Sequence, residues 1–404
     1  MFSPTWRYDG RMLFFALLTA FLLEQFVPLV EDNVFHKWAR RWALYARSKV
    51  FVMKTWHVWL WWSVAVVVPT LLSALLYQFL SAIWWPLAWL WLVSVLYLTM
   101  GFRQFSHYFS RIRDALQAGR EDEALAALAQ WRQVDGAEAQ RSDWVARVLS
   151  LALLAAQRHV LGVWLAFVVL GVFGLGPAGA VLYRLSEYVA RLWRVQLPST
   201  AGDIDEQATD AAASADTAQD ADNHVFNDDE QEPATLRALV ALQAWHYVDW
   251  LPVRVSALGF AAAGHFEGVV AAWRDASDSA QLSNDSLLLA AGAGALNVTL
   301  QEESTPSAND EPGDDDLVVM SAALLDEHAA QVHAQASVVA PVGAAGEQIA
   351  DPGLSSESKP EPESDNLASA PKPRHVAALA SLVWRVVVLA MGVLAGLTLV
   401  SWLN

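Results

Sequence analysis

The chain has 404 residues, of which 55% are hydrophobic, and its mean hydropathy is +0.27. These values exclude an ordinary soluble domain, because the apolar residues come in blocks long enough to cross a bilayer. With no cysteine, the chain also excludes disulfides, thiolate metal sites and a catalytic thiol. The formal net charge of -17 comes from two acidic stretches, residues 203–232 and 302–365, and the remaining residues are basic in sum.

The basic character of the remaining chain indicates which partners to expect. Basic residues beside apolar segments are typical of anchoring to anionic lipid on the cytoplasmic side of a membrane. No basic cluster has the interleaved aromatic residues of a nucleic-acid-binding surface. We therefore expect the lipid bilayer as a partner, and no nucleic acid.

Three membrane helices are predicted in the amino-terminal part of the chain. Residues 12–30 are apolar but include Glu24, which we interpret as lying at the membrane interface. The basic residues 36–54 are predicted to stay in the cytoplasm. Two apolar runs, 56–80 and 83–102, each offer about 20 residues, enough to cross the hydrocarbon core. Their many tryptophans are interpreted as an aromatic belt.

Polar segments separate the remaining apolar runs. Residues 103–147 have the pattern of an amphipathic helix and predict a cytoplasmic helical loop. Two acidic inserts are predicted to be disordered, because they cannot bury enough apolar surface, apart from one short helix at 317–332. The predicted units are a membrane domain (1–198), an acidic insert (199–235), a central segment (236–300), an acidic linker (301–374) and a last transmembrane helix (375–404).

The fourth apolar region, residues 148–182, is interrupted at positions 157–159 and 174–177. Two interruptions indicate a broken or re-entrant helix. Arg158 and His159 are then either interior site residues or the cytoplasmic boundary of a span that begins at Val160. We favour the boundary, because the residues from Val160 onward reach spanning length. The predicted fold class is an all-α integral membrane protein with four to five transmembrane helices, one of them broken or re-entrant.

The central segment carries most of the candidate site residues, since charged and amide groups among apolar ones are costly unless they are used. Pro252 predicts a helix start, with Asp249 upstream as its cap. Arg254 has no favourable dipole interaction near that start and needs an anionic partner. That partner is either Asp249 or a bound phosphate or carboxylate, and both alternatives stay open. The small residues Val253, Ala257, Ala261 and Gly264 predict a face for close helix packing.

Two weaker patterns have mainly structural interpretations. The run Gly292-x-Gly294 lacks the strand and the Lys-Ser/Thr pair of a phosphate loop, so close helix packing is favoured. The carboxylates of Asp275, Asp278 and Asp285 could gather a divalent ion, but a solvated or capping role is favoured for them. No metal site is therefore predicted.

Two short parts of the central segment resemble known families. Residues 246–254, His-Tyr-Val-Asp-Trp-Leu-Pro-Val-Arg, followed by Gly264-His265, resemble the AmpE family, inner-membrane proteins associated with signalling in β-lactamase induction. Residues 273–276, Asn284 and residues 291–298 are similar to the related CbiB/CobD family. Its members are adenosylcobinamide-phosphate synthases, which join an aminopropanol unit to a cobyric acid carboxyl group.

This chain departs from the synthase pattern where the chemistry needs acids. The synthases usually have Gly-Asp-Pro near the first helix, Glu-Asn-x-x-Asp before the fourth apolar region and paired aspartates before Pro-x-Arg. Here these places read 24–28 Glu-Gln-Phe-Val-Pro, 156–159 Ala-Gln-Arg-His and 245–246 Trp-His. Amide formation needs carboxylates to hold a metal or to take the amine proton. Pro252, Arg254 and Ser256 are kept, consistent with a retained fold or retained anion binding.

The resemblance implies a non-catalytic AmpE-type sensor or signalling modulator of the bacterial inner membrane that binds an anionic small molecule or signalling partner. The alternative is a synthase of the CbiB/CobD type, and a transporter component is a third alternative, because broken helices often mark substrate paths. No cofactor is expected, and a divalent cation and a nucleotide would be needed only by a synthase. The candidate ligand-binding residues are Arg254, Asp249, Ser256, His265, Asp275, Asn284, Arg158 and His159.

Overall fold

The protein, described by a computed structural model, is all-helical. The structure describes residues 6–26, 34–49, 55–100, 102–132, 144–194, 228–278, 283–300 and 371–403. The helices are α1 (Trp6–Phe26), α2 (Val34–Ser48), α3 (Thr55–Ile83), α4 (Trp85–Thr99), α5 (Phe102–Gln117), α6 (Glu121–Arg132), α7 (Trp144–Ala156), α8 (Gly162–Val172), α9 (Ala178–Arg194), α10 (Asp228–Ala263), α11 (Phe266–Asp278), α12 (Asn284–Leu296) and α13 (Pro373–Leu403). Residues 157–161 form a π-helical turn between α7 and α8.

Three helical segments of the described chain are long and apolar enough to cross a membrane. They are Thr55–Ile83, Trp144–Val172 and Pro373–Ser401, each of 29 residues. At 1.5 Å per residue each reaches about 44 Å, more than the roughly 30 Å hydrocarbon core. The other predicted spans are not confirmed: α1 carries charged residues such as Arg11 and Glu24, and the apolar helix α4 has only 15 residues.

The fourth apolar region contains one break, not two. The helix continues through Arg158 and His159, because the chain there widens into the π turn and does not stop. The prediction of a span that begins at Val160 is therefore wrong, and both side chains lie within the helix. The break near residues 174–177 is confirmed, with a turn that uses Gly174 and Gly176 at positive φ (76° and 59°).

Helix α10 begins earlier than predicted. It runs without interruption from Asp228 to Ala263, so Pro252 does not begin a helix and Asp249 does not cap one. The residues before Pro252 continue the helix because their apolar side chains, such as Trp245, are buried in the core, and packing overrides the proline signal. Residues 228–235, predicted as part of the first insert, are the start of α10.

Helix α10 lies at the centre of the bundle and packs against α9, α12, α13, α11, α3 and α8. The predicted small face is confirmed for three of its four residues, because Val253 and Ala257 are fully buried and Ala261 nearly so, whereas Gly264 follows the end of α10 and is exposed. Close packing at Gly294 is confirmed too, since a Cβ there would overlap the carbonyl oxygen of Gly268 on α11. The polar segment forms two helices, α5 and α6, that pack together. Residues 199–227 and 301–370, with the predicted helix at 317–332, lie outside the described residues.

Candidate functional site

A cluster of polar side chains fills the space where the π turn meets α9, α10 and α12. We call it the polar cluster, and its members come from four elements that are distant in sequence. They are Gln157, Arg158, Tyr183, Asp249, Arg254, Asn284 and Asp285. Because π turns frequently occur at functional sites and buried polar groups are costly, this cluster is the candidate functional site.

Asp249 is fully buried within the polar cluster, with no exposed surface. Its Oδ1 atom accepts a hydrogen bond of 2.7 Å from the Tyr183 hydroxyl and one of 3.3 Å from Nε2 of Gln157. Its Oδ2 atom and Oε1 of Gln157 are buried without a hydrogen-bond partner among the described residues. A buried carboxylate oxygen without a donor favours the protonated form of Asp249, because a protonated Oδ2 becomes a donor itself.

The electrostatics of Asp249 agree with this geometry. Helix α10 is not one of the three candidate spans, and within it burial raises the pKa of Asp249 to about 7. The nearby charge of Asp285 also raises it, while the hydrogen bond from Tyr183 acts in the opposite direction. Near neutral pH, Asp249 is therefore divided between a neutral acid and a carboxylate.

Arg158 and Asp285 join the π turn to the start of α12. Arg158 Nη2 lies 2.6 Å from Asp285 Oδ2, and both side chains are mostly buried. The solvated or capping role favoured for Asp285 is therefore wrong, because its carboxylate forms an ion pair across the bundle. In the described part of the chain, no group of three or more His, Asp or Glu residues could hold a metal ion.

Arg254 occupies the more open side of the polar cluster. Its Nη1 atom donates to the carbonyl oxygen of Trp250 at 3.0 Å and to Oδ1 of Asn284 at 3.3 Å. The guanidinium group lies 4.1 Å from the centre of the Trp250 ring, a cation–π contact. The amide of Asn284 is oriented by its own donation to the carbonyl of His246 at 2.8 Å. Within the described ranges, no carboxylate lies at ion-pair distance from Arg254, so Asp249 is not its partner.

The remaining sequence candidates lie away from this cluster. His265 is exposed, and its Nδ1 atom accepts from the backbone N–H of Gly268 at 3.0 Å, so it caps the start of α11. Asp275 is exposed near the end of α11. Ser256 is buried on α10. The structure thus brings together Arg158, Asp249, Arg254 and Asn284, and leaves His159, Ser256, His265 and Asp275 outside the hydrogen bonds that define the cluster.

Sequence reasoning missed three functional-site neighbours on α9: Tyr183, Arg184 and Glu187. Arg184 is only 2% exposed, and its Nη1 atom lies 3.2 Å from Oε2 of Glu187. Burial alone would raise the pKa of Glu187, but Arg191 and Arg184 hold it at about 2. The signal that could have found the pair is its spacing of three residues on a helix whose other face is apolar.

No family model, curated protein or solved structure matches this chain. The proposed function therefore depends on the polar cluster and on the two short segments that resemble the AmpE and CbiB/CobD families. Those segments meet in space, because Arg254 comes from the first and Asn284 from the second.

Asp249→Asn is expected to flatten the dependence of thermal stability on pH. Because folding raises the pKa of Asp249, the folded state binds more protons than the unfolded state, and stability falls as the pH rises from about 4 through about 7. Asparagine keeps a neutral side chain with a donor and does not titrate. Melting temperatures in detergent, measured from about pH 5 to about pH 8, check this sign. An equal decline in the melting temperatures of the wild type and of Asp249→Asn would contradict this sign. Asp114→Asn, at an exposed position, is the matched control.

Proposed function

We propose that this chain is an inner-membrane protein of the AmpE type, a non-catalytic sensor or signalling modulator that binds an anionic ligand at Arg254. The observation that carries the proposal is the surroundings of Arg254. Its guanidinium contacts an amide, a carbonyl and an aromatic face, but no carboxylate of the described chain. A partly buried cation is stabilised by a compensating anion, and a bound phosphate or carboxylate would supply one.

The nearby carboxylates support a non-catalytic role. Asp249 is enclosed by Tyr183 and Gln157, so it has no path to a substrate at Arg254 without movement of the helices. Asp285 is already paired with Arg158. A synthase would need free carboxylates to hold a metal or to take the amine proton. The polar cluster therefore offers groups that bind and orient an anion rather than groups that activate an acyl transfer.

The alternative, a synthase of the CbiB/CobD type, has one specific observation in its favour. Arg254 and Asn284, which both match that family's motifs, lie within 3.3 Å of each other. Complementation of a bacterial strain that lacks adenosylcobinamide-phosphate synthase separates the two functions. Growth that disappears with Arg254→Ala would establish the enzyme. No growth from a protein shown to be in the membrane would support the non-catalytic function.

Arg254→Ala is expected to weaken the stabilisation of the purified protein by inorganic phosphate or pyrophosphate. A charge-assisted hydrogen bond contributes about 1.5–3 kcal/mol, so the affinity should fall at least roughly tenfold. Arg254→Lys should recover part of it, because lysine keeps the charge but loses the planar fork. The shift in melting temperature against anion concentration is the measurement. Arg385→Ala, which removes an exposed guanidinium 3.5 Å from the Ala263 carbonyl, is the control, and an equal loss there would contradict the assignment.

A further inference from the structure

A separate cavity of about 960 Å³ lies between α1, α3 and α4. The polar cluster contributes none of its walls. The turn after α8 closes one side of the cavity through Gly174. Its lining residues include Arg11, Met12, Phe15, Gln78, Ser81 and Trp89.

The cavity lies where the three candidate spans come to their carboxyl ends. Gln78, near the end of the first span, donates to the carbonyl oxygen of Gly174, just after the end of the second, at 2.5 Å. Arg11 donates to the carbonyl oxygen of Ser401, in the last turn of the third, at 3.3 Å. All three spans therefore end on the same side of the bundle. That side corresponds to one surface of the membrane that they cross.

Tryptophans mark the same end of the bundle. Trp84 and Trp85, which follow the first span, are 59% and 60% exposed, and Trp89 lines the cavity. Tryptophan side chains concentrate at the level of the lipid head groups, where one part of the ring is apolar and the N–H is hydrated. These tryptophans indicate that the mouth of the cavity lies at head-group depth, and Thr19 on α1 also lines it.

Arg11 is the one charged residue among those that line the cavity. Its Nη2 atom is satisfied by Ser401, whereas its Nε atom is buried and has no hydrogen-bond partner in the described part of the chain. Most other lining side chains are apolar or aromatic. One cation at head-group depth, followed by an apolar wall, is complementary to a molecule with an anionic head and a hydrocarbon tail.

We propose that this cavity binds an anionic phospholipid, with the lipid phosphate at Arg11 and an acyl chain against Met12, Phe15 and Trp89. The guanidinium N–H groups that face the cavity suit phosphate oxygens. The acyl chain would fill apolar space that a soluble phosphate leaves open to water. This proposal does not depend on the function proposed for Arg254.

The test uses the full chain, purified in a neutral detergent and titrated with phosphatidylglycerol, diacylglycerol or glycerol phosphate. Native mass spectrometry reports bound lipid, and the melting temperature reports stabilisation. Phosphatidylglycerol is expected to bind the wild type and to bind Arg11→Gln roughly tenfold more weakly. Diacylglycerol, which lacks the phosphate, and glycerol phosphate, which lacks the acyl chains, should each bind more weakly than the complete lipid.

Two further variants complete the test. Arg385→Gln removes an exposed guanidinium on α13 that is not part of the lining, and phosphatidylglycerol should bind it as it binds the wild type. Ser81→Trp fills the cavity but keeps Arg11, and it should also weaken lipid binding. If Arg11→Gln does not fold, lipid binding by Ser81→Trp tests the proposal. Unchanged lipid binding in Arg11→Gln and in Ser81→Trp would overturn the proposal. Glycerol phosphate that binds as tightly as the lipid would overturn it in favour of a soluble anion.

Discussion

Gly179→Ala is expected to prevent accumulation of the folded protein. A Cβ at Gly179, in the first turn of α9, would overlap the backbone carbonyl of Ala166 on α8. A backbone obstacle cannot change rotamer, so α8 and α9 would have to separate along their whole contact. Overpacking a well-packed core commonly costs about 1–3 kcal/mol, and more where the backbone must move. The yield of monodisperse protein and its melting temperature in detergent are the measurements.

Gly392→Ala is the matched control for that substitution. Gly392 lies inside α13, and a Cβ there meets no atom within 4 Å. Alanine in a helix interior is favoured over glycine by roughly 0.5–1 kcal/mol, so this variant should be as stable as the wild type or slightly more so. Equal melting temperatures for Gly179→Ala and Gly392→Ala would show that α8 and α9 do not approach this closely.

Glu187→Gln is expected to cause the second large loss of stability. It removes the charge that compensates the buried guanidinium of Arg184, 3.2 Å away. Breaking a buried ion pair by removing one partner typically costs about 3–5 kcal/mol, because the remaining charge stays desolvated. The more distant Arg191, at 3.7 Å, would also lose its carboxylate. The free energy of unfolding, or the melting temperature in detergent, measures the effect.

Asp114→Asn gives the comparison for Glu187→Gln at an exposed ion pair. Asp114 lies 2.8 Å from Arg113 on α5, with 59% of its side chain exposed. Such pairs contribute about 0–1 kcal/mol, so this variant should melt near the wild type. Replacing both Arg184 and Glu187 by Met and Leu should recover much of the stability, because apolar residues of similar volume can replace a buried pair. Similar losses at positions 114 and 187 would contradict the buried position of Glu187.

The helical class, the apolar helices Thr55–Ile83 and Pro373–Ser401 and the glycine contact at Gly294 could be predicted from the sequence, whereas the continuous helix Trp144–Val172 was predicted to be broken or to begin at Val160. Each depends on a local pattern: continuous apolar residues for the spans, and small residues in succession for the contact. The predicted helix start at Pro252 failed for the same reason. A proline signal is local, whereas α10 is extended across it by side chains such as Trp245 that are buried in the core.

The polar cluster could be predicted only in part, because its contacts join distant positions. Tyr183 and Asp249 are 66 residues apart, and Arg158 and Asp285 are 127 apart. Asp249, Arg158 and Arg254 are conspicuous in the sequence because each is polar within apolar surroundings. A tyrosine near the end of an apolar run gives no such signal, so Tyr183 was missed. The partner of each polar residue required the arrangement of α9, α10 and α12 in space.

The π turn has a mechanical consequence for the helix that contains it. The backbone N–H of Gly162 reaches the carbonyl oxygen of Gln157, five positions back, so the turn holds one residue more than an α-helical turn. An α-helix advances about 100° per residue, so the two halves of this helix are out of phase by that amount. If the extra residue moved along the helix, Arg158 would rotate away from Asp285 with little change in helix length. The π turn, next to the polar cluster, is thus a position at which one half of the helix can rotate about its axis relative to the other half.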